Sequence, residues 1–361
     1  MSKKHLICFV TLILCVLGII MVYSASNIVA SYKYNDSLYY TKRQGLFLVL
    51  GIISMFIISK IDYHVYLRNS SKLLFISFIL LLLVLIPGLG QIRGGSRSWF
   101  SLGPFSFQPA EVFKVCIIFY LSHFISKNYH KNKKIKVLII PLFILVLGFA
   151  LIMLQPDFGS GFIMIASGII LLFISRLPLH YFLYLCIVGI IGSICLIAIA
   201  PYRLKRLLSF LDPFSDPLGS GFQAIQSLFA IGPGGLLGKG FNNSIQKHFY
   251  LPEPQTDFIF AIFCEEFGLI GCIGLISLYI IFVYLGMKIA LASNDLEGFY
   301  LAFGITILIG LQTVVNLCVV TSLFPITGIT LPIISYGGTS LVVTLMCIGI
   351  IINISKHKKQ S

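Results

Sequence analysis

The feature that most limits what this chain can fold into is the length of its apolar runs. Ten of them, at about 6–23, 45–61, 73–87, 109–126, 137–154, 158–175, 180–200, 257–287, 299–323 and 332–354, are separated by short polar stretches. A helix rises 1.5 Å per residue, so 18 residues reach about 27 Å, close to the thickness of a bilayer's hydrocarbon core. Backbone polar groups find no water there and must bond within the segment, so each run reads as a helix. The run from 257 is too long for a simple span and is expected to tilt or to emerge into the cytoplasm.

Composition agrees. Hydrophobic residues make up 58% of the chain and charged ones only 11%, against about 25% charged in soluble domains. The expected fold class is therefore all-α and polytopic, with about ten transmembrane helices in a single domain over 1–361. The N-terminal MSKKHLICFVTLILCVLGIIMVYSAS has the basic start and apolar run of a signal peptide. Its 18-residue run is longer than a usual signal core, and we read it as a retained first span. The nine cysteines all lie in apolar runs, form no CxxC pair and are odd in number. Neither a disulfide framework nor a zinc site is supported.

The net charge of +14 could signal nucleic acid, but no basic helix or aromatic-basic stripe accompanies it. The basic residues lie in short segments between apolar runs, as topology signals do. With an even number of spans both termini share a side. Placing them in the cytoplasm puts fifteen Lys and Arg inside and ten outside, and KNYHKNKKIK (127–136) is the largest single contributor. Two polar outer loops remain, about 88–108 and 201–256, the second between helices 7 and 8. Its interleaved Phe, Tyr, Leu and Gly residues, around IGPGGLLGKG, suggest an ordered, partly re-entrant cap. That glycine-rich segment lacks the strand–GxxxxGK[ST]–helix setting of a nucleotide loop, so no nucleotide is expected.

Ionisable residues inside spans cost about 2.5–3.5 kcal/mol and are functional candidates by default. QPAEVFK puts Glu111 and Lys114 three residues apart on one helical face, either as a self-neutralising pair or as part of a site. LQPDFGSG places Asp157 where it would cap the next helix. The stretch YLPEPQTDFIFAIFCEE (250–266) holds Glu253, Asp257, Glu265 and Glu266, four of the chain's twelve acids. Pro252 and Pro254 forbid helix before it, and Thr256 is the expected N-cap of a helix starting at Asp257. The helix dipole would keep Asp257 ionised, fit to act as a base or a metal ligand. Glu265 and Glu266 lie deeper and read as structural. Outside, Arg43, Arg97, Lys114, Arg203, Arg206, Lys239 and Lys247 exceed topological need and suit a polyanion such as a pyrophosphate.

MVYSAS, GGSRSW, QPAEVFK, QPDFGSG, DPLGSGFQAIQSLFAIGPGGLLGKG, FYLPEPQTDFIFAIFCEEFGLIG and VTSLFPITGITLPIISYGGTSL together resemble the SEDS proteins (shape, elongation, division and sporulation), in wording nearest to their FtsW and SpoVE members. The resemblance runs through nearly the whole chain. It implies a ten-helix enzyme of the bacterial cytoplasmic membrane that polymerises lipid II into peptidoglycan glycan strands, for division or sporulation. It further implies a class B penicillin-binding protein as partner, with other divisome or sporulation membrane proteins. Its key acid falls on Asp257, and its other polar positions on Arg43, Glu111, Lys114 and, less firmly, Lys239; Arg97, from the outer cations above, is a further candidate to meet the substrate's pyrophosphate. A divalent cation (Mg or Mn) is implied too, though no metal cage is visible beyond Asp257. Two rival functions stay open on sequence grounds: a lipid II flippase, and a non-catalytic scaffold that recruits a penicillin-binding protein.

Overall fold

The computed structural model describes residues 3–103, 105–130, 135–175 and 208–357, with single positions at 178, 180, 181, 184, 187, 189, 192 and 204. The expected run 180–200 falls largely outside the described residues, as do Arg203, Arg206 and the basic stretch 131–134.

Helix α1 (Lys3–Tyr34) is followed by α2 (Tyr39–Ile58), the short α3 (Tyr63–Arg68) and α4 (Ser70–Leu83). Strands β1 (Gly90–Arg93), β2 (Ser96–Leu102) and β3 (Phe105–Phe107) come next, then α5 (Pro109–Lys127), α6 (Ile135–Leu154) and α7 (Phe158–Phe173). The remaining helices are α8 (Phe222–Ile231), α9 (Ile259–Leu291), α10 (Leu296–Val320) and α11 (Gly338–Ile354). Six of them, α1, α2, α5, α6, α9 and α10, are long and apolar enough to cross a membrane, and α4, α7 and α11 are shorter apolar helices. Together they overlap each expected run except 180–200.

Helix α5 is the most enclosed: it packs among α4, α7 and α10, and 72% of its spanning window is buried. Helix α6 is peripheral, with Ile139, Ile140, Phe143 and Val146 exposed on its outer side. Lipid is as apolar as leucine, so such a face loses nothing by pointing outward. Polar side chains therefore collect on the enclosed helices. On the other side of the bundle α11 runs along α2, and α9 packs between α1 and α10.

The segment expected as an outer loop at 88–108 contains a three-stranded antiparallel sheet in the order β1-β2-β3. Arg93 pairs with Ser96 across Gly94 and Gly95, whose φ of +55° and +81° are the two positive values that a two-residue hairpin turn demands. Ser96 Oγ donates to the Gln155 carbonyl at 2.5 Å, and Thr339 Oγ1 donates to the Ser106 carbonyl at 3.0 Å. The sheet is thus fastened to the α6–α7 turn and to the first turn of α11.

Helix α9 departs from expectation twice. It begins at Ile259, with Phe258 rather than Thr256 in the cap position. The Thr256 hydroxyl donates back to the Glu253 carbonyl at 3.0 Å. Backbone groups at 255 and 256 are already held by the 335–336 segment, through Tyr336 N to Gln255 O at 2.8 Å and Ser335 Oγ to Thr256 O at 2.6 Å, so the helix starts beyond them. Its 33 residues are also broken inside, at Gly268, where φ is +60° and ψ −165°. The excess length of the run comes from two helical pieces joined end to end.

Candidate functional site: the turn at the mouth of helix α9

Asp257 lies in the turn that leads into α9 and is half-buried. Its peptide carbonyl accepts from Asn316 Nδ2 at 2.8 Å, and the same amide donates to the Ile329 carbonyl at 2.7 Å. One side chain of α10 therefore clamps the Asp257 turn to the extended segment that follows α10. Facing the carboxylate is Gly328; a methyl group placed there would sit 3.7 Å from Asp257 Oδ2. The chain presents bare backbone toward that oxygen.

Arg43 reaches the same segment from α2. Its guanidinium stands over the Tyr39 ring at 4.5 Å. The same guanidinium stands beside the Tyr336 phenol and hydrogen-bonds it. Gln44, the next residue of α2, donates to the Ser335 carbonyl at 3.1 Å. Through residues 335 and 336, which bind the backbone at 256 and 255, Arg43 and Asp257 are brought to one neighbourhood.

Glu111 and Lys114 lie deeper. Lys114 Nζ donates to Glu111 Oε1 at 2.7 Å and to Gln312 Oε1 at 3.1 Å, and its side chain is only 3% exposed. Gln312 Nε2 continues to the Thr330 carbonyl at 3.1 Å. Gln312 and Asn316 are four residues apart and so share one helical face. A polar line then runs from Glu111 through Lys114, Gln312 and Asn316 to the Asp257 turn. Neither Gln312 nor Asn316 was singled out from sequence; the signal available was an amide pair at i, i+4 inside an apolar run. Asp157 caps α7, accepting from Ser160 N at 3.0 Å, and takes a second bond from Gln108 Nε2 at 2.9 Å. Burial raises its carboxyl above the usual range.

The Gly268 break is filled by the glycine-rich loop. The carbonyls of Glu265 and Glu266, left without helical donors, accept from Lys239 N at 2.9 Å and Gly240 N at 3.0 Å. The amides of Leu269 and Ile270 donate to Gly235 O at 2.9 Å and Leu236 O at 3.1 Å. Irregular backbone at membrane depth survives only where protein covers it, and here the loop supplies that cover. Both glutamates sit at the C-terminal end of the first helical piece, where the helix dipole disfavours acids. Lysines compensate: Lys239 Nζ is 2.8 Å from Glu265 Oε1, and Lys247 Nζ is 3.2 Å from Glu266 Oε1. Ser24 of α1 donates to Glu266 Oε1 at 2.6 Å, and Ser244 Oγ donates to Glu265 Oε2 at 2.5 Å.

The remaining candidates make other contacts. Arg97 NH1 donates to the Leu85 carbonyl at 3.4 Å, just beyond the end of α4. Glu253 is exposed and bonds Thr256 Oγ1 through its own carbonyl. Lys239 and Lys247, counted from sequence among the outer cations, are committed to the buried glutamates.

A cell cycle protein family model that groups FtsW, RodA and SpoVE matches residues 4–360. The stage V sporulation protein E of Bacillus subtilis (strain 168) is 46% identical over 99% of this chain and 98% of its own. A probable peptidoglycan glycosyltransferase FtsW of Geobacter sp. (strain M18) is 40% identical over 98% of this chain and 97% of its own. Among solved structures, a chain of a peptidoglycan synthase complex that coordinates polymerization and crosslinking aligns with a TM-score of 0.79 at 28% identity, over 98% of both chains. The crystal structure of the rod shape determining protein RodA of Thermus thermophilus aligns at 0.71 and 26% identity, over 98% of this chain and 97% of that one.

Proposed function

The chain belongs to the FtsW/RodA/SpoVE family and is a peptidoglycan glycosyltransferase; from that premise we propose that it polymerises lipid II at the outer face of the bacterial cytoplasmic membrane, with Asp257 as the base. The proposal includes a tenth span over 180–200, both termini in the cytoplasm, and the segments 88–108 and 201–256 outside.

One observation carries the assignment: Asp257 stands half-buried in a turn clamped by Asn316 Nδ2, with its carboxylate opposite the Gly328 backbone. A base needs a fixed position and an approach for its substrate, and this acid has both. The acceptor's GlcNAc 4-hydroxyl gives its proton to the Asp257 carboxylate as its oxygen forms the bond to C1 of the donor's MurNAc. The bond from C1 to the pyrophosphate breaks with inversion, and undecaprenyl pyrophosphate leaves. Arg43 is placed to meet the growing negative charge. Lys114 acts at one remove, holding Gln312 and through it the Thr330 carbonyl.

The Mg or Mn ion belongs to the proposal only as a companion of the pyrophosphate. Among the described residues, no group of three potential ligands gathers at Asp257. A cation there would take most of its ligands from phosphate oxygens and water, so no step above is routed through one. The proposed partners are a class B penicillin-binding protein and other division or sporulation membrane proteins. A relative's place in a synthase complex that joins polymerization to crosslinking supports the first of these.

The test is polymerisation of labelled lipid II by the purified protein with its matched penicillin-binding protein. Asp257→Asn should lower the rate by about 10²–10⁴-fold, the usual contribution of a general base. A variant that polymerises at the wild-type rate removes Asp257 from that role. No polymer from the wild type, with its partner bound, would bring headgroup translocation forward instead.

A further inference from the structure

At the other end of α9 from Asp257, four residues beyond Leu291, a second set of titratable groups converges. The His64 Nε2 atom is 2.8 Å from Asp295 Oδ2 and 3.9 Å from Glu297 Oε2. One ligand atom from each of these three residues lies within 4.8 Å of the other two. They come from the α2–α3 elbow and from the N-terminal cap and first turn of α10.

Every other heteroatom of the three is already engaged. His64 Nδ1 is 2.7 Å from Asp62 Oδ1. Asp295 Oδ1 accepts from the Tyr63 hydroxyl and from Gly298 N, each at 2.8 Å. Glu297 Oε1 is 2.8 Å from His123 Nδ1 of α5, and Ser126 Oγ donates to it at 3.5 Å. The result is three donor atoms turned inward, each steered by an outer partner. A histidine that gives one N–H to a carboxylate and aims its other nitrogen at a common point has the arrangement typical of a metal ligand.

When the imidazole proton sits on Nδ1 toward Asp62, the Nε2 lone pair faces two carboxylate oxygens, and a cation between the three offsets their repulsion. A proton would serve the 2.8 Å contact and leave Glu297 Oε2 at 3.9 Å unserved. A divalent ion bound at about 2.0–2.2 Å to each ligand holds its donors roughly 3–3.5 Å apart, between the 2.8 and 3.9 Å separations seen here, so shifts of a few tenths of an ångström would seat one. We propose that His64, Asp295 and Glu297 bind a first-row divalent ion, Zn2+ or Mn2+, with Asp62, Tyr63 and His123 as its outer sphere. One nitrogen and two carboxylate oxygens suit such borderline ions. The ion staples the α2–α3 elbow and the end of α5 to the α9–α10 connection, on the opposite end of the bundle from the transfer reaction.

The experiment uses the full chain in detergent, carrying an affinity tag free of histidine. It is stripped with chelator and titrated with Zn2+ and, separately, Mn2+; elemental analysis after gel filtration and the melting temperature are the readouts. The expected result is about one ion per chain and a higher melting temperature with metal. His64→Gln and Glu297→Gln should abolish retention while eluting as folded protein, and Asp62→Asn should weaken affinity by about 10–100-fold. Asp257→Asn should retain the ion. Absence of stoichiometric retention, or equal retention by Glu297→Gln and His64→Gln, overturns the proposal. Stabilisation by acid alone would do the same, by giving His64 a proton in place of the metal.

Discussion

Asp157 shows how far a single side chain can be argued. It caps α7 from a half-buried position, and desolvation there raises its carboxyl above the ordinary 3.8. A raised folded value means that the folded protein holds the proton more tightly than the unfolded chain. Its favourable contribution is therefore complete below pH 3.8 and fades as pH rises through the folded value. Asparagine caps a helix as well as aspartate, so Asp157→Asn should flatten that part of the stability–pH profile and cost little at neutral pH. Asp157→Ala should cost about 1 kcal/mol, the usual loss for a cap; thermal melts across pH 4–8 check both. The pair Lys247 and Glu266 is more exacting, because both side chains are almost fully buried. Lys247→Met alone should destabilise by about 3–5 kcal/mol by stranding the glutamate. Adding Glu266→Gln should recover part of that, and a double mutant that melts no higher than the single one would remove the pair as the cause. At this scale the sequence marked the acids well, since each is a rare charge in an apolar run. It hid their partners: Lys239 and Lys247 read as outer cations because the fold that pairs them with the glutamates depends on a loop returning to α9. The grouping of His64 with Asp295 and Glu297 was invisible because His64 lies over 200 residues before the other two.

Among the elements, nine of the ten apolar runs translated into helices, with ends shifted by up to six residues except for α1, which continues eleven past its run, because run length and helix rise are local quantities. The hairpin at 90–102 was legible in part, through Gly94-Gly95 and the alternation of SRSWFSL, yet an unbroken polar stretch in a membrane chain reads as loop. The interruption of α9 was not legible. Gly268 sits in EEFGLIGCIG, where an apolar period continues across it, and glycine is common in membrane helices. The conformation there, φ +60° and ψ −165°, belongs to glycine alone, and a side chain would strike Gly238 N and the Leu236 carbonyl. Gly268→Ala should therefore cost about 1–3 kcal/mol in backbone strain beyond any displacement of the loop. A lowered melting temperature is the expected reading, and an unchanged one would mean that the break tolerates a side chain.

For the whole molecule, the topology rests on the charge bias of its short segments and can be tested directly. In a variant with its native cysteines replaced, Leu218→Cys, 89% exposed in the proposed outer segment, should react with a membrane-impermeant maleimide in intact cells. Tyr66→Cys, in α3 near the opposite end, should react only after the membrane is opened. The reverse pattern would invert the protein and place Asp257 on the cytoplasmic side. The mended break in α9 carries a consequence of another kind, for the order of events at the ribosome. Gly238 precedes Gly268 by thirty residues, so the segment that patches the interruption is synthesised before the interruption itself. The loop that supplies partners to the four peptide groups at the break is therefore already made when α9 enters the bilayer, and the order of synthesis does not require them to wait there exposed to lipid.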